Sequence, residues 1–230
     1  EIYLDDLRKK THRGQTGQVE RGYIAGGKSF GYDIVKVEGG SQYRINEDEA
    51  KWVRFIFEEY ADGLSVQKIA HRLNELGVES PRKSLWGGSA IYGSPVKGSG
   101  ILNNRLYIGE LVWNRSKCVK NPDTGKRQRF ERPKEEWKVI QRPELKIIDD
   151  ALWARVRNRI DTGRDEHGRK RYMRIGNSLF GGLMLCPYCG GKLVVVNGHS
   201  YGCIEAKEKG KTVCNGFSVN RDKLEKALLK

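Results

Sequence analysis

The chain has 230 residues and carries 43 Lys and Arg against 29 Asp and Glu, a formal net charge of +14. That length allows one large or two modest domains, each able to bury a core of its own. No apolar run approaches the roughly 18 residues of a membrane span, and no charged and apolar leader opens the chain, so neither membrane insertion nor secretion is predicted. The positive excess favours a polyanionic partner over an ordinary basic protein that has none.

The first residues have the pattern of a helix end, with cations gathered before Gly14, where a helix C-terminus favours them. Since the chain opens in what reads as mid-helix, we expect residues 1–13 to be the end of a linker helix in a longer protein. Six glycines between residues 14 and 31 argue against a regular helix and predict an extended segment, either a flexible tether or an arm laid along DNA. Such an arm would offer cations to phosphates or to a narrow minor groove, namely His12, Arg13, Arg21 and Lys28.

Two helices follow a predicted β-hairpin. Alternating apolar and polar residues on both sides of Gly39-Gly40 indicate the hairpin. A helix capped by Asn46 or Asp48 comes next, with apolar residues at helical spacing. The second helix begins after an N-cap at Ser65 and ends at Gly77. Two short helices joined by a glycine turn are typical of the start of a helix-turn-helix unit.

A third helix is predicted over residues 95–104, in a stretch rich in glycine and polar residues. If the three helices pack as a helix-turn-helix unit, this helix would face the major groove of DNA. Asn and Arg suit bidentate contacts with bases, whereas Lys and Ser suit phosphates or either base edge. The residues concerned are Lys97, Ser99, Asn103, Asn104 and Arg105. An ordinary polar helix face is the alternative.

Positive charge is concentrated between residues 111 and 175, which hold 19 Lys and Arg against 10 Asp and Glu. Residues 120–137 indicate a hairpin or loop, and a domain boundary is predicted after residue 137. A helix capped by Asp149 or Asp150 comes next, with apolar residues at helical spacing. A basic link without regular structure follows, and its candidate DNA contacts are Arg169, Lys170, Arg171 and Arg174.

Four of the five cysteines fall at the spacing of a metal site, which fits a reducing compartment better than a disulfide framework. Cys186 and Cys189 form a Cys-x-x-Cys pair, which can hold one ion when the turn between them is tight. Asn197-Gly198 then predicts a type I′ turn, and Cys203 and Cys214 complete four thiolates. Because four thiolates leave no open position for water, the pattern predicts a structural Zn²⁺ in a zinc ribbon.

The remaining candidates for metal or nucleophilic chemistry are weak. His199 could replace one cysteine as a ligand, but with four thiolates present we expect an exposed hairpin side chain. Cys118 stands far from the other cysteines and is assigned no role. A zinc enzyme such as a nuclease would need clustered histidines or carboxylates, whereas the four histidines are scattered at positions 12, 71, 167 and 199.

The order of the parts is more specific than any one of them. A helix end and a glycine-rich arm lead to KSFGYDI, then to ILNNRLYIGELVWNR, to IIDDALWARVRNRI and to the ribbon motif LMLCPYCGGKLVVV. This order resembles the C-terminal DNA-binding half of the large serine recombinases, the serine integrase family, over essentially all 230 residues. The resemblance implies an α+β fold, in which a recombinase domain with a helix-turn-helix-like unit over residues 14–137 precedes a zinc-ribbon domain over residues 138–230.

The function that this resemblance implies is sequence-specific binding of double-stranded DNA at one half of a recombination attachment site. The ribbon hairpin would reach the major groove through Asn197, His199 and Tyr201. In that family a preceding catalytic domain cuts and rejoins DNA through a phosphoserine link, but its Tyr-x-Arg-x-Ser motif has no counterpart in this sequence, so no catalytic residue is assigned. The resemblance also implies that the protein self-associates through that domain and a coiled coil. It further implies a protein encoded by a bacterium or a phage, which acts in the bacterial cytoplasm at the nucleoid.

A rival interpretation of a different class is a zinc-ribbon module of the transcription type or one that docks onto another protein. Such a module would show an exposed apolar patch on the ribbon and would have no cationic arm. The predicted arm and the basic segment between residues 111 and 175 argue against it.

Overall fold

The computed structural model describes residues 2–121, 123–163 and 178–229. The chain divides into two compact units, each assembled from separate segments. The first unit comprises Glu1–Phe55, Val96–Gly98 and Asn104–Trp153, and the second comprises Ile56–Pro95, Ser99–Asn103 and Ala154–Lys230. Among the described residues, no helix is both long enough and apolar enough to cross a lipid bilayer.

The first unit combines one long helix with three antiparallel strand pairs. It begins with α1 (Ile2–Glu20). The predicted hairpin is confirmed as β1 (Tyr32–Val37) and β2 (Gly40–Ile45), which pair from Tyr32 opposite Ile45 to Val37 opposite Gly40. Strand β3 (Glu110–Trp113) pairs with β6 (Lys138–Gln141), and between them β4 (Ser116–Lys120) pairs with β5 (Arg127–Glu131).

Helix α1 runs beyond its predicted end, so the prediction of an extended segment from Gly14 onward is wrong for residues 14–20. Glycine in a helix interior costs about 0.5–1 kcal/mol relative to alanine, and packing outweighs that cost here. Val19 is 1% exposed. His12 contributes as well, because its Nε2 lies 3.0 Å from Asn114 Oδ1 and its ring packs against Trp113.

Two tyrosines form the centre of the first unit. The rings of Tyr32 and Tyr107 stack with centroids 5.9 Å apart. The Tyr32 hydroxyl lies 3.0 Å from the carbonyl of Leu106 and 2.8 Å from that of Leu145, while Tyr107 donates to the carbonyl of Phe30. Burial raises the pKa of both phenols well above the usual range. Both hydroxyls therefore stay protonated and serve as donors that join distant segments.

The second unit contains most of the helices. They are the last turns of α2 (Glu47–Ala61), α3 (Val66–Glu75), α4 (Gly88–Tyr92) and the last turns of α5 (Asp150–Thr162), with α6 (Ile204–Lys209) and α7 (Arg221–Leu228) further along. The predicted caps are confirmed for three of them. Asn46 accepts from the N–H of Glu49, Ser65 from that of Lys68, and Asp149 from that of Leu152.

The prediction of a third helix over residues 95–104 is wrong. Ser94 and Ser99 form an isolated β-bridge, and Ile101–Asn103 form a short 3-10 helix. Gly93 has φ +53 and lies so close to Ser99 that a Cβ would stand 1.9 Å from the Ser99 carbonyl oxygen. This close backbone approach closes a tight loop where the polar pattern indicated a continuous helix. The third helix of the unit is instead the five-residue α4.

The zinc-ribbon region ends the chain with a three-stranded antiparallel sheet in the order β7 (Leu193–Val195), β8 (Ser200–Cys203) and β9 (Ser218–Asn220). A buried amide joins α3 to this region. Asn74 accepts from the N–H of Trp86 at 2.7 Å, and its Nδ2 donates to the carbonyls of Trp86 and Lys209. The overall class is the predicted one, α+β with small antiparallel sheets and a zinc ribbon, whereas the helix-turn-helix-like unit stays a prediction.

The domain boundaries predicted after residues 13 and 137 stay predictions. Residue 13 lies inside α1. Lys138 lies in β6, where it pairs with Trp113 of β3.

Candidate metal centre and nucleic-acid interface

The four predicted metal ligands come from three places in the ribbon. Cys186 and Cys189 lie in the turn before β7, Cys203 ends β8, and Cys214 lies in the loop before β9. The N–H of Cys186 donates to the Gly191 carbonyl at 2.7 Å, which closes the turn between the first two cysteines. None of the five cysteines forms a disulfide.

The four sulfur atoms form a compact cluster. They all lie within 4.8 Å of one another. Cys186 Sγ is 3.8 Å from Cys214 Sγ, and Cys189 Sγ is 3.5 Å from Cys203 Sγ. Tetrahedral zinc with Zn–S bonds of about 2.3 Å places its sulfurs about 3.8 Å apart. The donor set and its spacing therefore fit one tetrahedral ion with no position left for water.

The surroundings of Cys186 favour the thiolate that a metal requires. Burial opposes ionisation, but backbone N–H groups at Tyr188 and Cys189 donate to this sulfur and lower the pKa of the Cys186 thiol, whereas burial and the neighbouring sulfurs raise the pKa of Cys189 and Cys214. Loops that aim backbone donors at cysteine sulfurs stabilise the charged form.

Beneath the cluster lies a small core, formed by Leu193 and Tyr201 with three of the cysteines. Tyr201 is 0% exposed. Its hydroxyl donates to Glu225 Oε1 at 2.6 Å, and Arg221 donates to the same oxygen. Because the Tyr201 side chain is buried in this core and its hydroxyl is already bonded, its position does not support the predicted contact with DNA.

The hairpin between β7 and β8 ends in an exposed polar tip at Asn197 and His199. Asn197 Oδ1 accepts from the N–H of His199. Gly198 has φ +85, whereas Asn197 is not among the residues with positive φ. A type I′ turn needs positive φ at both central positions, so that prediction is wrong, although the hairpin is present.

The four cations of the predicted arm differ in how free they are. Arg13 and Arg21 are exposed, and His12 is half-buried against the first unit. Lys28 is exposed but pairs with Glu49 at 2.6 Å and Asp33 at 3.5 Å. Arg13 and Arg21 are thus available to a polyanion, and Lys28 is already partly neutralised.

The residues of the predicted third helix are divided between the two units. Lys97 and Ser99 are exposed in the loop. Asn103 is 4% exposed and donates to the carbonyls of Tyr92 and Ser99, so its predicted base contact finds no support.

The last two of these residues lie in the first unit. Asn104 bonds to Ser29, and Arg105 is exposed and pairs with Glu110. The four candidates of the basic link, Arg169, Lys170, Arg171 and Arg174, lie outside the described residues.

Two surfaces carry exposed residues to which the sequence analysis assigned no role. On the ribbon, large apolar side chains are exposed at Leu179 (60%), Leu183 (76%), Leu185 (63%) and Tyr188 (70%). In the first unit the β4–β5 hairpin exposes cations. The sequence indicated a hairpin or loop over residues 120–137, and the strands of this hairpin are Ser116–Lys120 and Arg127–Glu131.

Comparison with known proteins gives two family matches. The family described as Recombinase matches residues 47–163, and the recombinase zinc beta ribbon domain matches residues 179–230. No curated protein sequence matches the chain.

The solved structures that are similar to this chain include the following two. One is a crystal structure of an LSR–DNA complex, with 20% identity and a TM-score of 0.43 over 96% of this chain and 64% of that one. The other comes from work on sequence requirements of the Listeria innocua prophage attP site, with 21% identity and a TM-score of 0.42 over 96% of this chain and 84% of that one. The chain thus spans about two thirds of the length of the first.

Proposed function

This chain belongs to the recombinase family, and from that premise we propose that it binds double-stranded DNA and reads one half of a recombination attachment site. The observation that carries the proposal is the succession of the two family matches, a recombinase domain and then a recombinase zinc ribbon, along one chain. The net charge of +14 agrees with a polyanionic ligand.

Within this function the four-cysteine cluster would hold Zn²⁺, through Cys186, Cys189, Cys203 and Cys214. A closed, all-thiolate zinc supplies structure and no reaction chemistry. The core beneath the cluster is small, so the ribbon fits a domain whose folding depends on its metal. Its role would be to hold the exposed tip at Asn197 and His199 in one conformation.

Contacts with DNA would divide into two kinds. Exposed cations such as Arg13, Arg21 and Lys97 would contact phosphates, which supply affinity and make it depend steeply on salt. Asn197 and His199, at the end of a two-stranded hairpin, would reach base edges in the major groove and supply discrimination. Two modules on one chain would each bind weakly alone and more tightly together.

For the whole protein we propose strand exchange on DNA through a phosphoserine link, catalysed by a domain outside this sequence. Subunits would associate through that domain and a coiled coil. The place of action would be the cytoplasm of a bacterium, at the nucleoid. All three proposals follow from the resemblance to serine integrases.

The test is a selection of bound duplexes from random DNA, with zinc present and at near-physiological salt. The expected result is one long motif that divides into two adjacent blocks. Footprinting on the selected duplex should then show protection across both. A selection that enriches no motif, with binding that only follows salt, would contradict sequence-specific readout.

The exposed apolar residues on the ribbon favour a second candidate function, docking onto another protein, because exposed apolar side chains there are what this rival requires. The selection discriminates between the two, since a docking module would enrich no DNA motif. Replacing Leu183 and Leu185 with Ser should leave the selected motif unchanged if DNA is the ligand of the ribbon.

A further inference from the structure

The β4–β5 hairpin is a free-standing ribbon of two strands. Every residue from Lys117 to Lys120 and from Asp123 to Glu131 is exposed. Its turn is ordered by Asn121, whose side-chain oxygen accepts from the N–H groups of Asp123 and Thr124. Because these residues are exposed on both strands, both faces of the hairpin are open to a ligand.

The base of the β4–β5 hairpin is held in place by several contacts. The N–H of Arg132 donates to the Arg115 carbonyl at 2.9 Å, and the indole N–H of Trp137 donates to the Arg132 carbonyl at 2.9 Å. The Arg115 guanidinium lies over the Trp137 ring, 4.7 Å from its centroid. Arg132 also pairs with Glu136. The two strands therefore start from a fixed base, and the first unit sets their direction.

One face of the ribbon is cationic. Side chains of directly opposed residues project from the same face of an antiparallel pair. Lys120 lies opposite Arg127, and Arg129 lies opposite Cys118, so the three cations share a face. The other face carries Lys117 opposite Phe130 and Val119 opposite Gln128.

This arrangement is unfavourable in the free protein. Like charges placed directly opposite each other across a strand pair destabilise the pair, and Lys120 and Arg127 are such a pair. In the part of the chain that the structure describes, no ion pair is recorded for Lys120, Arg127 or Arg129. The carboxylate on their face, Glu131, lies at the base, opposite Ser116. A polyanion laid along this face would relieve the repulsion.

We propose that the cationic face of the β4–β5 ribbon, formed by Lys120, Arg127 and Arg129, is a binding site for the phosphate backbone of duplex DNA. The proposal rests on the proposed function and adds a contact separate from the zinc ribbon and from α1. A two-stranded ribbon has dimensions that a DNA groove admits. The cations bind phosphates and carry no sequence information of their own.

The experiment compares the full chain with the triple variant Lys120→Gln, Arg127→Gln, Arg129→Gln, by titrating a duplex at several salt concentrations. Removing three phosphate contacts should lower the slope of log affinity against log salt by about 3. At 0.15 M salt the affinity should fall on the order of 100-fold, equally for the selected and an unrelated duplex. Circular dichroism should be unchanged and the melting temperature should not fall, because the three side chains are exposed and their removal relieves the like-charge repulsion.

The β4–β5 hairpin offers a matched control. Lys117 and Lys120 are exposed lysines of the same strand on opposite faces. Lys120→Gln should lower the slope by about 1, and Lys117→Gln should leave it unchanged. A triple variant with wild-type affinity and slope, or equal losses in the two single variants, would overturn the proposal. Failure of the unmodified chain to bind any duplex would overturn the proposed function and this site with it.

Discussion

Single buried amides decide much of the local structure in this protein. Asn74 satisfies the N–H and the carbonyl of Trp86 and the carbonyl of Lys209, and it is 8% exposed. Asn74→Ala leaves these groups without partners in a site closed to water, so we expect a loss of about 2–3 kcal/mol in the free energy of unfolding. Chemical denaturation measures it. Asn158→Ala, at an exposed position of α5, is the control and should cost nothing.

Residue type alone does not reveal which polar side chains are spent inside the protein. Asn103 and Tyr201 have the chemistry to contact DNA, and both were predicted to do so. In the structure Asn103 bonds to the carbonyls of Tyr92 and Ser99, and the Tyr201 hydroxyl bonds to Glu225. Tyr92 and Glu225 lie 11 and 24 residues away from the side chains that they bond, so the local sequence gives no information about these partners. The cysteines are different, because their spacing directly indicates a shared ion.

At the scale of elements, the caps and apolar stripes predicted the main helices. The glycines did not, because one helix continues through a glycine and one predicted helix is replaced by a loop that glycines close. Gly14 lies inside α1, where tertiary packing of residues beyond it outweighs its low helix propensity. Gly93 and Gly100, which have positive φ, close the loop that replaces the predicted third helix. Propensity is a local quantity, and both outcomes depend on contacts with other segments.

The glycine in α1 gives a direct prediction. A Cβ at Gly14 would meet no atom within 4 Å, so Gly14→Ala should stabilise the helix by about 0.5–1 kcal/mol. Hydrogen exchange of the α1 amides and thermal melting measure the gain. Gly109→Ala is the counterpart. Gly109 has φ +81 and a Cβ there would lie 2.7 Å from the Arg142 carbonyl oxygen, so this change should lower the melting temperature. Similar effects of the two changes would contradict the structure.

The zinc ribbon should fold only with its metal. Cys186→Ser removes one of four ligands of the cluster, and the small core beneath it cannot hold the sheet alone. We expect metal content to fall and amides of β7, β8 and β9 to exchange rapidly, while β1 and β2 keep their protection. Cys118→Ser, an exposed cysteine outside the cluster, should change neither. Retention of ribbon protection in metal-free Cys186→Ser would contradict a structural role for the ion.

For the whole molecule, the order of motifs carried more information than any single motif. That order suggested the recombinase family and the α+β class, and the family matches agree with both. The order of motifs did not show which cations are free, because ion pairs form between residues that are close in space but separated in sequence. Lys28 illustrates this, since its partner Glu49 lies on α2. The hydrogen bond that Lys28 donates to Glu49 also raises the pKa of Lys28, so that carboxylate stabilises its charged form.

The last prediction concerns how the chain holds DNA as a whole. Arg13 is exposed on α1, and no ion pair is recorded for it among the described residues. Arg13→Gln should therefore lower the salt slope by about 1 and weaken the selected and unrelated duplexes equally. Lys28→Gln should lower the slope less, because Glu49 and Asp33 already offset that charge. Titrations of both duplexes over a range of salt measure the two variants. A loss confined to the selected duplex would mean that Arg13 contacts a base.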